Sequence, residues 1–175
     1  MDLLMGPIEA VRDFMELGGD VLTLIALTIF VMWVLIIERM IYFRTGLKAM
    51  AKDIHDTWEG RPERNSWNSH QIRDAMISRY EMAANVGVPV IQTLVALCPL
   101  LGLMGTVTGM IEVFDVMAIS GSGNARSMAS GVSKATIPTM AGMVGALSGV
   151  FLITLITRGI ESRVEHLQDD LTMDH

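Results

Sequence analysis

Residues 21–37, 82–111 and 135–157 carry no charged side chain, and that pattern leaves the chain few folds. A helix needs about 20 apolar residues to cross a hydrocarbon core about 30 Å thick. In lipid every backbone polar group must be satisfied within the structure, which makes helices the solution for runs of this length. The first run spans a membrane if it continues through Glu38 and Arg39 to Phe43. The second is longer than a bilayer requires, so its 82–92 end is expected to project into water. The chain has 175 residues and is 51% hydrophobic, yet its apolar residues gather in these runs instead of spreading as a soluble core would. The expectation is an all-α membrane protein with three transmembrane helices, at 21–43, 82–115 and 134–158.

Residues 1–20 hold Asp2, Glu9, Asp13, Glu16 and Asp20 against Arg12, and so lack the positive start of a cleavable signal. Leu4, Ile8, Val11 and Met15 recur at helical spacing, which suits a short helix lying in the membrane interface. Lysine and arginine set the orientation, rather than the net charge of −6. Seven bases lie between Arg44 and Arg79, and Arg158 and Arg163 follow the third run. The connection between the second and third runs, 116–133, offers Arg126, with Lys134 at its edge. The N-terminus is therefore expected outside, and the 44–81 loop and the 159–175 segment in the cytoplasm.

Within 44–81, GRPERNSWNS (60–69) is a break with Gly60, Pro62 and several capping residues. Its flanks are read as a cytoplasmic helical hairpin, with Trp58 and Trp67 as packed side chains. AISGSGNARS (118–127) reads as a flexible outer connection, and 159–175 as a short amphipathic helix with a polar tail. Cys98 is the sole cysteine and lies in an apolar run, which excludes an intramolecular disulfide and a cysteine-based metal motif. His55, His70, His166 and His175 show no ligand spacing. No nucleophile elbow, phosphate loop or dinucleotide fingerprint is present, so no cofactor and no enzymatic activity are expected. The acidic balance argues against nucleic acid as a partner.

The three runs differ in texture. VLTLIALTIFVMWVLII (21–37) is bulky almost all round, a surface that lipid tolerates. This helix is placed outermost, and truncating Ile25 is expected to matter little. PLLGLMGTVTGMIEVF (99–114) instead carries three glycines and two threonines within eight positions. Glycine costs about 1 kcal/mol relative to alanine in a helix, a loss that close packing and dispersion contacts offset. Gly102, Gly105, Thr106 and Gly109 share one helical face, and Gly105 and Gly109 have the small-xxx-small spacing that lets backbones approach in lipid. On the third run Ala135, Thr139, Gly142, Ala146 and Gly149 form a stripe, with Ala141, Gly145 and Ser148 beside it. Thr106 precedes Glu112 by six residues and Thr139 follows Lys134 by five. Both therefore lie roughly 8–9 Å below the outer boundary at about 1.5 Å per residue. In an antiparallel hairpin the two hydroxyls share a depth, which suggests a polar layer. Thr108 and Thr136 are read as bonding a carbonyl one turn back.

CPLLGLMGTVTGMIEVF (98–114), followed by GVSKATIPTMAGMVGALSGV (131–150), resembles the paired signature of the ExbB/TolQ/MotA proton-channel proteins. Three spans, an outside N-terminus, a large first cytoplasmic loop and a short tail fit the ExbB and TolQ branch. The resemblance implies a homo-oligomer, a pentamer, whose second and third helices line a pore in the bacterial inner membrane. It implies an ExbD-like single-span subunit in that pore, present as a dimer, and proton flow that drives a TonB-like protein. It implies pore roles for Thr106, which matches the GTV threonine, and for Thr139. Pro99 and Gly102 match the start of the motif. Lys134 stands where many ExbB-type members carry an acid, a departure that leaves no carboxylate role there and points to a variant subfamily.

A proton path at neutral pH needs a titratable group, and the three runs hold none. Threonine relays a hydrogen bond but does not store a proton. An acid inside a membrane is costly and functional by default, so the ExbD-like partner is expected to supply a membrane Asp. A TolQ-like subunit serving envelope integrity and a non-conducting membrane scaffold are the competing readings.

Overall fold

The computed structural model describes residues 2–120 and 125–173, with their side chains outside 2–18, 120, 125 and 127. The chain is all-α: α1 (Asp2–Glu59), α2 (Trp67–Asn85), α3 (Val88–Ser120) and α4 (Ala125–Asp170). Gly19 interrupts α1 with φ 65 and ψ −161. Beyond it, α1, α3 and α4 each contain a stretch long and apolar enough to cross a membrane.

The helices outrun the charge-free runs. α1 continues through Glu38, Arg39 and the basic residues to Glu59, and α4 is unbroken from Ala125 to Asp170. No helix end therefore stands at 43, 134 or 158. Charge marks where water begins, but an N–H bonds the carbonyl four residues back equally well on either side. The second membrane helix, expected from 82, begins instead at Val88. Val86 caps α2 and Gly87 follows with φ 79, a left-handed conformation that glycine alone adopts freely. The connection expected at 116–133 is helical as far as Ser120 and again from Ala125. Its centre, 121–124, lies outside the described residues, as do His175 and the side chains of Leu4, Ile8, Val11 and Met15.

One compact unit comprises residues 1–33 and 93–150. Here α1 buries Leu22, Ile25 and Met32 almost completely, while Leu27 and Phe30 stay exposed. Ile25 is thus core, whereas the bulky run suggests that Ile25→Ala matters far less than Gly105→Leu. Bulk all round concealed a preferred face, because α4 offers glycines to that side of α1: Gly145 lies against Ile29 and Gly149 against Met32.

The other unit comprises residues 34–92 and 151–175. Ser66 caps α2, its Oγ accepting from the Ser69 N–H at 3.3 Å. Arg64 donates to the Glu59 carbonyl at 2.9 Å and pairs with the Glu59 carboxylate at 3.0 Å, closing the end of α1. Trp58 is fully buried and donates its indole N–H to the Thr172 carbonyl at 2.9 Å. Trp67 was expected to pack but is 75% exposed. It opens α2 ahead of the buried stripe Ser69, Ile77, Tyr80 and Ala84, on a turn that no other element covers. Arg73 closes the end of α4 by donating to the carbonyls of Gln168 at 2.6 Å and Leu171 at 2.8 Å. Arg163 donates to the Phe43 carbonyl at 2.9 Å and lies 3.9 Å over the Phe43 ring.

Burial pushes the Tyr80 phenol above the usual tyrosine value of 10.0, and the Arg163 guanidinium beside it opposes the rise. The folded chain therefore holds this proton more tightly than the unfolded chain. The stability it contributes is complete below the usual tyrosine value and is lost as pH rises through the higher folded one. In a Tyr42→Phe background the phenolate absorbance of the folded protein should appear only above pH 10.0. Ionisation at the unfolded value would contradict the buried environment.

Candidate functional site

The faces of α3 and α4 meet backbone to backbone. A Cβ built on Gly109 would stand 2.6 Å from the Ala135 Cβ, and one on Gly102 would stand 3.0 Å from both the Pro138 carbonyl oxygen and the Thr139 Cα. One on Gly105 would overlap the Pro138 ring, and one on Gly142 the Cys98 carbonyl. The partner number falls on one helix as it rises on the other, so the pair is antiparallel. Gly102, Gly105, Gly109 and Gly142 share this interface. Gly145 and Gly149 do not belong to it alone: the first faces Ile29 of α1, the second both Met32 of α1 and Val95 of α3. The small-residue stripe of α4 therefore serves two neighbours. Sequence reasoning passed over Pro138, whose ring fills the space above Gly105. Its place in the 135, 138, 142, 145, 149 spacing was the available signal.

This approach brings two hydroxyls together. Thr106 Oγ1 and Thr139 Oγ1 lie 3.2 Å apart, and both residues are half-buried. Thr106 donates to the Leu103 carbonyl on its own helix at 2.7 Å, whereas Thr139 donates across the interface to the Gly102 carbonyl at 2.9 Å. Each hydroxyl owns one hydrogen. With both hydrogens on carbonyls, the two oxygens face each other with lone pairs. When either turns toward its neighbour, a carbonyl loses its bond. The pair can thus accept a hydrogen bond from a third group, or pass one along, by rotation alone.

The other singled-out residues lie apart from this layer. Thr108 bonds the carbonyls of Met104 and Gly105, and Thr136 that of Ser133, each within its own helix. Pro99 is exposed on α3, where it has no N–H for the Val95 carbonyl. Lys134 is exposed, one turn before Pro138 on α4. Among the described residues, those flanking the layer on both helices are apolar or uncharged between Cys98 and Ile111 and between Ala135 and Thr157.

Residues 38–169 match the MotA/TolQ/ExbB proton channel family. The chain belongs to that family. It is similar to the biopolymer transport protein ExbB-like 1 of Synechocystis, with 41% identity over 73 residues, 40% of this chain and 29% of that protein. It is similar also to the biopolymer transport protein exbB1 of Vibrio cholerae, with 36% identity over 86 residues, 47% of this chain and 38% of that protein. The chain spans about a third of the length of these relatives.

The rigid contacts predict which substitutions hurt. Gly105→Ala sets a methyl group against the Pro138 ring, and overpacking of this kind costs about 1–3 kcal/mol. Leu27→Ala, at a residue 58% exposed, should change stability far less. Unfolding of the two purified variants measures the difference, and equal stabilities would refute the close α3–α4 contact.

Proposed function

We propose that this chain is an ExbB-type subunit of a proton-driven motor in the bacterial inner membrane, with copies of it forming a ring around a pore lined by α3 and α4. The observation that carries the reading is the Thr106–Thr139 pair, two hydroxyls 3.2 Å apart inside stretches without a charged side chain. A hydroxyl facing hydrocarbon is costly. Beside a hydrated path it orients water and a carboxyl group instead. The proton carrier is then an Asp on an ExbD-like single-span subunit, and desolvation raises that acid toward neutrality so that it loads and releases protons. Because the acid is borrowed, conduction depends on assembly.

The rest of the reading follows from the family's pattern and the charge distribution. The ring is a pentamer and the output goes to a TonB-like protein, a role in keeping with the names of the relatives as biopolymer transport proteins. The excess of bases at 44–79 and after 157 puts those segments in the cytoplasm and the N-terminus outside. The glycines at 102, 105, 109 and 142 hold the hydroxyls in register, and those at 145 and 149 seat α1. A non-conducting scaffold has one observation in its favour: the Thr139 hydroxyl also joins α4 to the α3 backbone.

Proton flux into liposomes separates the two. A hydroxyl bonded to a charged group is worth about 1.5–3 kcal/mol, so Thr106→Val and Thr139→Val should each lower flux by about tenfold or more in the presence of the partner. Thr→Ser at either position should keep part of it. The chain alone should conduct little, since a narrow apolar constriction dewets, and the partner's Asp→Asn should abolish flux. Unchanged flux in the Thr106→Val, Thr139→Val double variant would leave the scaffold standing, and strong flux from the chain alone would end the borrowed-carboxylate mechanism.

A further inference from the structure

Two clefts of opposite charge open on different sides of the last turns of α4. The first, about 460 Å³, is lined by Lys48 and Lys52 of α1 and by Arg163, His166 and Asp170 of α4, with His55 also at its wall. The second, about 360 Å³, is lined by Glu81 of α2 and by Glu161 and Glu165 of α4, with no cation among its lining residues. At about 100° per residue, Glu161 and Glu165 share one side of α4 while Arg163 and His166 share another. The two sets overlap over residues 163–168 of α4, so the clefts overlap in height along the helix axis.

Neither set is satisfied within the chain. Lys48, Lys52, Glu81, Glu161 and Glu165 are exposed and, among the described residues, form no ion pair. Arg163 is held by the Phe43 carbonyl and ring and lies beside the Tyr80 phenol, whereas the two lysines are exposed.

We propose that these clefts are the two halves of one interface between copies of this chain, the carboxylates of Glu81, Glu161 and Glu165 docking against Lys48 and Lys52 of the next copy. The inference rests on the ring reading above and adds what holds neighbours in order. Two different patches on one molecule make a heterologous contact, which propagates head to tail and closes into a ring. Copies that share a membrane orientation keep their heights aligned, so patches that overlap in level on α4 come within reach of long lysine and glutamate side chains. A two-fold arrangement is disfavoured, because it would set lysine against lysine or glutamate against glutamate. A free anion or an anionic lipid would satisfy the lysines but not the facing carboxylates, and the overlapping heights would then have no role.

Crosslinking in trans tests the register. In a Cys98→Ala background, differently tagged copies carry either Lys52→Cys or Glu165→Cys and are expressed together in membranes. The expected product under oxidation is a disulfide between unlike copies, with little between like ones. A dominant Glu165→Cys homodimer would show a two-fold contact and overturn the proposal. So would the absence of any crosslink in a sample whose native mass still shows a ring. A sample with no oligomer at all would overturn the ring reading, and this inference with it.

Charge reversal tests the chemistry without added cysteines. Copies with Glu161→Lys and Glu165→Lys, or with Lys48→Glu and Lys52→Glu, should each lose self-association by about tenfold, because like charges then face each other. Mixed, the two should co-assemble, since every contact between unlike copies is again complementary. Misfolding would not be rescued by mixing, so mutual rescue is the supporting result. Self-association of either variant at the level of the parent would overturn the proposal.

Discussion

In lipid no hydrophobic effect draws one apolar helix to another, because the tails are as apolar as leucine. Contact between α3 and α4 therefore has to come from close approach, and the structure depends on positions where side chains are missing. Gly102 brings the α3 backbone to the Thr139 Cα, Gly105 admits the Pro138 ring, and Gly109 admits Ala135. Each glycine gives up about 1 kcal/mol of helix propensity. The return is dispersion along the whole seam and a hydrogen bond between helices, from Thr139 to the Gly102 carbonyl. A methyl group at 102 would push that carbonyl away, so the bond and the missing side chain are one device.

What was legible in the sequence follows from which physical signals are local. Absence of charge over 20 residues or so is a direct consequence of the solvent, and the three apolar stretches read cleanly. The glycine and threonine spacing on 102–109 and 135–149 is likewise set by one helix's geometry, and Thr106 and Thr139 could be matched by counting from flanking charges. Helix ends were less legible, because α1 and α4 cross from apolar to charged sequence with no backbone event at the crossing. The break between α2 and α3, Gly87 at φ 79, sits inside an uncharged run where hydropathy gives no cue.

Packing choices were legible only where one residue type decides them. Ile25 and Leu27 look alike in a bulky run, yet one is fully buried and the other 58% exposed. Ile25 lies on the same side of α1 as Ile29 and Met32, which meet Gly145 and Gly149 of α4, more than a hundred residues away in the chain. Trp58 and Trp67 flank the same break, yet among the described residues only Trp58 has a hydrogen-bond partner, the Thr172 carbonyl. No pattern within residues 58–67 distinguishes them, since the discriminating atoms belong to the end of α4 and to its closure by Arg73.

The composition of the hydroxyl layer suggests why glycine and proline, and not larger fillers, surround it. Side chains that must meet in one geometry need to be held within about 0.5 Å of it. Leucine or methionine would fill the same space, but each brings rotamers that move the seam as they exchange. Glycine has no rotamer, and the proline ring has one fixed backbone torsion. Gly105 against Pro138, with Gly102 beside Thr139, therefore positions Thr106 and Thr139 through backbone alone. Pro138 also lacks the N–H that would bond the Lys134 carbonyl, which loosens the helix one turn from the layer without disturbing the contact itself. The freedom left in the layer is then rotation of the two hydroxyls, two hydrogens among the carbonyls of Gly102 and Leu103 and each other. A rigid cage around rotatable donors lets the hydrogen bonds of the layer reverse direction without the helices moving.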